Sequence, residues 1–213
     1  MKIRFVALGD SLTVGFQAPS PFLPGSEKFP YTSFIEDIVE DELQKRKLSF
    51  VEFSFINAGL VGDTTKTMFE RFEAYVISKT PDYVIIWGGI NDLFMMKAPS
   101  AVFSNLMKIY IKSKKTKIEP IACTLTPVVG YDDILPRVRE LNNMIIEYCR
   151  KEGIKLVDLY SSLADDTGRL RESFSSDGVH LSNAGYKKVA YVIYYSIIEK
   201  MLDDFKRSQV SSS

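Results

Sequence analysis

Short runs of β-branched and aromatic residues alternate along this chain with longer stretches whose apolar positions recur every three or four residues. Residues 3–8, 50–56, 83–87, 118–125 and 154–159 predict strands. Four of these runs are nearly continuous in apolar residues, as strands buried on both faces of a parallel sheet are. The second alternates Val51, Phe53 and Phe55 with Glu52 and Ser54, which predicts an edge position. Between the runs lie helical patterns. Ser33 with Glu36 reads as a capping box for a helix whose stripe is Phe34, Ile35, Ile38, Val39 and Leu43. Thr67 with Glu70 opens a second, bearing Met68, Phe69, Phe72 and Val76. Pro99 and Pro136 each suit a first helical turn, and the helix after Pro136 stops at Gly153. A last helix starts at Ser182 or Asn183 and runs to about Phe205.

Strand and helix thus alternate five times, which predicts the α/β class: a three-layer α/β/α doubly wound sandwich around a five-stranded parallel sheet. No linker, repeat or composition shift divides the chain. Residues 1–207 are expected to form one domain, with 208–213 a frayed serine-rich tail. Residues 15–30 break the rhythm, carrying Pro19, Pro21, Pro24 and Pro30 among Phe16, Phe22 and Phe29. That is a long loop, either functional or a proline-stiffened surface excursion.

Composition narrows the functional classes. The 213 residues are 46% hydrophobic, enough for a sizeable core, and 27 basic residues balance 27 acidic ones. The balance gives no electrostatic case for nucleic acid or an anionic membrane surface. Cys123 and Cys149 are too few for a disulfide framework, and a single histidine excludes multi-histidine metal sites. No signal-peptide pattern and no membrane-length apolar stretch occurs, so a soluble, cytoplasmic protein without metal or cofactor is expected.

In an open parallel sheet, ligands bind beyond the carboxyl ends of the strands. The residues there are Gly9-Asp10-Ser11-Leu12, Asn57 to Asp63, Gly88-Gly89-Ile90-Asn91-Asp92, Thr126 to Gly130 and, further on, Asp177-Gly178-Val179-His180. Each piece alone has an ordinary reading as a turn or a helix cap. Together they supply the parts of an acyl-transfer site. A serine is a weak nucleophile without a base, and His180 is the one imidazole available. Asp177, three residues before it, is within reach to orient it. The amides of Ser11 and Gly62 with the Asn91 side chain offer three donors for an oxyanion.

These blocks resemble the SGNH hydrolases, the GDSL esterase/lipase family. Gly9-Asp10-Ser11-Leu12 matches the first block, with Ser11 as nucleophile. Gly62 best matches the second-block glycine, Gly59 being the alternative. Gly89-Ile90-Asn91-Asp92 matches the third, and Asp177-Gly178-Val179-His180 the last. The resemblance spans residues 9–180 and implies a flavodoxin-like strand order of 2-1-3-4-5, a catalytic set Ser11, Asp177 and His180, and an oxyanion hole of Ser11, Gly62 and Asn91. It implies hydrolysis of short-chain acyl, aryl or acetyl esters of small molecules, lysophospholipid included, by a monomer or homo-oligomer. An acetylated-carbohydrate deacetylase and a noncatalytic flavodoxin-like binding module are the competing readings. An ordinary α/β-hydrolase is rejected, because Thr13 replaces the second glycine of its nucleophile elbow and Asp177 shares a turn with His180. No basic cluster marks a phosphate site and no long apolar run marks a lipid-surface face.

Overall fold

A computed structural model describes residues 1–19 and 27–210. Its strands are β1 (Lys2–Gly9), β2 (Phe16–Gln17), β3 (Glu27–Lys28), β4 (Glu52–Gly59), β5 (Tyr83–Trp87), β6 (Glu119–Cys123) and β7 (Lys155–Val157). Its helices are α1 (Ser11–Val14), α2 (Tyr31–Arg46), α3 (Thr65–Glu70), α4 (Phe72–Tyr75), α5 (Ile90–Phe94), α6 (Pro99–Lys115), α7 (Leu135–Glu152), α8 (Leu159–Leu163), α9 (Asn183–Ile193) and α10 (Glu199–Val210). Five strands form a parallel sheet in the order β4-β1-β5-β6-β7 with helices on both sides, while β2 and β3 make a small antiparallel ribbon. Counting the five sheet strands alone, the order is 2-1-3-4-5, the flavodoxin-like arrangement that the resemblance implies.

The central strands are buried for the reason their sequences suggest. Phe5, Val6, Ala7 and Leu8 of β1 and Val84 to Trp87 of β5 are almost wholly shielded from solvent. Each large side chain so buried contributes roughly 1.5–3 kcal/mol of hydrophobic stabilisation before entropy is counted. β4 is the edge strand that its alternation predicts, exposed at Glu52 and buried at Phe55.

Element boundaries depart from the pattern at several points. β4 begins two residues later than expected and continues through Asn57, Ala58 and Gly59, because it pairs with β1 along its whole length, from Lys2↔Glu52 to Gly9↔Gly59. β6 and β7 are shorter than the apolar runs that announce them. At β7 the Asp158 side chain accepts from the Ser161 N–H and turns Leu159 into the start of α8. α2 starts at Tyr31, not at a Ser33 capping box. Pro30 holds an extended conformation as its N-cap, and the Ser33 N–H bonds the Pro30 carbonyl within the first turn. The second helix takes its capping box from Thr64 with Thr67, and it breaks at Arg71 before resuming as α4. α9 continues through a π-helical segment, Tyr194–Ile198, into α10. Residues 208–210, assigned to the tail by sequence, are therefore helical; residues 20–26 of the long loop and 211–213 of the tail lie outside the described residues.

Candidate active site

Ser11 opens α1 just beyond the end of β1, an inner strand of the sheet. Gly9 pairs with Gly59 on one side and with Trp87 on the other, so the turn after it sits where the strand order reverses. Asp10 builds that turn. Its Oδ1 accepts from the Leu12 N–H at 2.9 Å, and its carbonyl accepts from Thr13 at 3.1 Å and Val14 at 3.0 Å. The helix ends at Gly15, whose φ of 79° suits glycine and whose missing Cβ would lie 2.3 Å from Pro30 N.

His180 reaches Ser11 from a different part of the chain. Its Nε2 lies 2.9 Å from Ser11 Oγ, and its Nδ1 lies 2.7 Å from Asp177 Oδ2. The other Asp177 oxygen accepts from the backbone N–H groups of Val179 at 3.0 Å and His180 at 2.7 Å. Burial pushes this carboxyl up, but the His180 hydrogen bond and the two backbone donors outweigh it, and the group is held below the usual carboxylate range. Gly178 makes the turn possible: its φ is 96°, and a Cβ there would meet the Val129 carbonyl at 2.4 Å. The Phe16 ring stands edge-on to the imidazole, with centroids 4.7 Å apart.

Gly62 and Asn91 approach from the two neighbouring strands. Gly62 lies in a turn closed by the Asp63 N–H on the Leu60 carbonyl, and the Leu60 N–H bonds Gly9, the residue two before Ser11. Asn91 is in the first turn of α5, after Gly89 with φ 124°, and its Nδ2 donates to the Asp63 carbonyl at 2.9 Å. Ser11, Asp177 and His180 are thus joined by direct hydrogen bonds. Gly62 and Asn91 are linked to that set through the backbone of Gly9 and Asp63.

The supports of this arrangement escape a motif reading. Arg71, where the helix breaks, donates from Nε to Asp63 Oδ2 at 2.6 Å and from a terminal nitrogen to the Gly9 carbonyl at 3.0 Å. Asp92 is fully buried and takes the Thr65 N–H at 2.8 Å and Lys97 Nζ at 3.0 Å. Asp10 is also fully buried. The available sequence signal was the company these residues keep: Asp10 and Asp92 fall inside the blocks, and Asp63 directly follows Gly62. Among the described residues no group of three or more His, Cys, Asp or Glu side chains is arranged to hold a metal ion.

The sequence profile of the GDSL-like lipase/acylhydrolase family matches residues 7–188. The chain belongs to this family. An arylesterase from Vibrio mimicus is 28% identical over 145 residues, a match covering 64% of this chain and 66% of that protein, just under two thirds of its length. The lipase/acylhydrolase structure from Enterococcus faecalis superposes with a TM-score of 0.73 at 25% identity, covering 93% of this chain and 96% of that one. A mutant acetyl-xylooligosaccharide esterase from Geobacillus Stearmophilus has the same fold, with a TM-score of 0.75 at 20% identity over 92% of this chain and 94% of that one.

Beside the candidate site, this GDSL-family chain carries a cavity of about 450 Å³ lined by Phe94, Met96, Tyr131 and Ile134, with Asp132, Asp133 and Arg137 among its polar groups. Phe94 is one turn after Asn91 on α5 and meets Tyr131 edge-on at 5.4 Å. The Tyr131 ring also lies against Gly178. Leu60, Val61, Met95 and Met96 are more than half exposed on the loops around the site, an apolar rim assembled from separate blocks that no single run of sequence announces. No helix among the described residues is long and apolar enough to cross a membrane.

Proposed function

We propose that this protein is a serine esterase that hydrolyses small carboxylic esters through an acyl-enzyme on Ser11. The observation that carries the reading is the relay from Ser11 Oγ to His180 Nε2 at 2.9 Å and from Nδ1 to Asp177 at 2.7 Å. In the first half-reaction Ser11 Oγ attacks the ester carbonyl carbon as its proton passes to His180 Nε2. Charge grows on the carbonyl oxygen, where the N–H groups of Ser11 and Gly62 and the Asn91 amide meet it. The ester C–O bond breaks, and the alcohol leaves with the proton held by His180. Water then attacks the acyl-enzyme, gives a proton to His180, and releases the acid as Ser11 recovers its own.

The substrate is an ester with an apolar acyl or aryl group. The cavity of Phe94, Met96, Tyr131 and Ile134 supports that choice, as does the arylesterase from Vibrio mimicus. A second reading, removal of acetyl groups from a carbohydrate, is favoured by Asp132, Asp133 and Arg137 in the same cavity and by the acetyl-xylooligosaccharide esterase fold. We assign residues 1–207 to one catalytic domain acting without metal or cofactor. The test is a fluorophosphonate probe followed by a panel of p-nitrophenyl esters of increasing chain length beside acetylated xylooligosaccharides. Labelling confined to Ser11 with turnover of the ester panel is the expected result. A folded protein that neither reacts with the probe nor hydrolyses any member would leave the binding-module reading in its place.

A further inference from the structure

Beneath Ser11 lie three buried carboxylates, and two of them have a cation. Asp63 is matched by Arg71 at 2.6 Å, and Asp92 by Lys97 at 3.0 Å. Asp10, between Gly9 and the nucleophile, is fully buried and has neither. Its Oδ1 holds the Leu12 N–H at 2.9 Å, while its Oδ2 is buried with no hydrogen-bond partner among the described residues. The hydroxyls of Thr13 and Tyr31 are also buried, and neither is hydrogen-bonded to Asp10. Tyr31 faces Thr13 and Asp10 from α2, and its ring meets Trp87 edge-on at 5.7 Å. The remaining titratable neighbours are Asp63 before α3, Asp92 on α5, His180 in the turn before α9, and Tyr186 on α9, whose hydroxyl is donated to the Phe16 carbonyl. A buried carboxylate without a cation is costly, and the usual relief is to keep its proton.

We propose that Asp10 works as a carboxylic acid and that loss of its proton closes the alkaline side of the enzyme's pH range. As an acid it caps α1 without placing a charge under the nucleophile. Once ionised, it sets a negative charge one residue before Ser11, against the negative charge that grows on the carbonyl oxygen in the transition state. Asp10 is therefore a positioning residue, acting through Ser11 and the oxyanion. Burial raises its carboxyl to about 7; the Leu12 N–H and His180 pull it down, and Asp63 and Asp92 push it up. The sign follows. An acid raised in the folded state favours folding below its unfolded value near 3.8, and that advantage is lost as pH rises to about 7.

The catalytic half of the proposal rests on the esterase reading; the protonation of Asp10 does not, and the experiment separates them. Asp10→Asn keeps the oxygen that caps Leu12 and removes the ionisation. Melting temperature against pH should show the variant gaining on the wild type between about pH 4 and about pH 7, with a constant difference above. The kcat/KM profile of the wild type should bend down above about pH 7, and the variant should lose that bend. A stability difference independent of pH would overturn the protonated Asp10. A pH-dependent difference with no alkaline bend in wild-type kcat/KM would overturn its part in catalysis. Infrared spectroscopy of the wild type decides the first point even if the variant does not fold. A protonated-carboxyl band should be present at about pH 6 and reduced at about pH 8, and its absence at the lower pH would end the proposal.

Discussion

Ser11 draws its expected reactivity from a single approach, that of His180 Nε2 at 2.9 Å, and no second imidazole exists in the chain to replace it. Ser11→Ala should leave the fold intact, since the hydroxyl's hydrogen bond among the described residues is to His180 alone, and leave at most the residual ~10³–10⁴-fold acceleration that binding and an oxyanion hole provide. Steady-state ester hydrolysis measures it, and near-wild-type turnover would remove Ser11 from the mechanism. Asn91→Ala should lower kcat by roughly 10²–10³-fold with little change in KM, because in the proposed mechanism its amide acts on the developing oxyanion. A rise in KM at constant kcat would make Asn91 a substrate binder instead. Asp177 orients the imidazole through Nδ1, so Asp177→Asn should cost roughly 10⁴-fold in kcat. Its carboxyl is depressed in the folded protein, so its stabilising effect is present above the unfolded carboxylate value near 3.8 and is lost as pH falls through the lower folded one. Wild-type stability should therefore drop more steeply at strongly acid pH than that of Asp177→Asn. Parallel acid-denaturation curves for the two proteins would count against the depressed carboxyl.

Among the elements, the turn from Ser175 to Leu181 sets where His180, the proposed base, stands. It is pinned at both ends by pairing between Ser175 and Leu181 and in the middle by the Val129 N–H on the Gly178 carbonyl. Gly178 needs both a positive φ and an empty Cβ position. Gly178→Ala should cost about 1–3 kcal/mol in denaturant unfolding and lower kcat far more than a surface alanine would, because the turn shifts away from Val129 and carries His180 with it. A variant with wild-type kcat would show that the turn tolerates the side chain and that its geometry does not set the base.

At the scale of the molecule, the parallel sheet gathers Ser11, Gly62 and Asn91 beyond the carboxyl ends of β1, β4 and β5. Phe5 of β1 stacks with Phe55 at 4.8 Å, Tyr83 at 4.8 Å and Phe53 at 6.0 Å across three strands. Phe5→Ala should lose about 3–5 kcal/mol of stability in chemical denaturation. The surviving folded fraction should keep its specific activity, since Phe5 lies in the middle of β1 and Ser11 beyond the strand's end. Loss of activity in proportion greater than loss of folded protein would show that the core transmits strain to the site.

The chain's alternation of apolar runs and amphipathic stretches was enough to name an α/β sheet, because burial on both faces of a strand leaves a continuous apolar signature. Ser11, Gly62, Asn91, Asp177 and His180 were legible as candidates because each lies in a short block beyond the carboxyl end of a predicted strand and has a residue type that acyl-transfer chemistry can use. Strand order was not, since periodicity records that a strand is buried and not which strand lies beside it; the resemblance carried that. The helix N-caps at Pro30 and Thr64 and the break at Arg71 were decided in three dimensions. There, backbone conformation and a side chain reaching Asp63 and Gly9 overrule local capping preference. The apolar rim of Leu60, Val61, Met95 and Met96 and the uncompensated burial of Asp10 belong to the same class. Exposure and charge compensation depend on what other segments bring to a residue, and only the folded chain sets that.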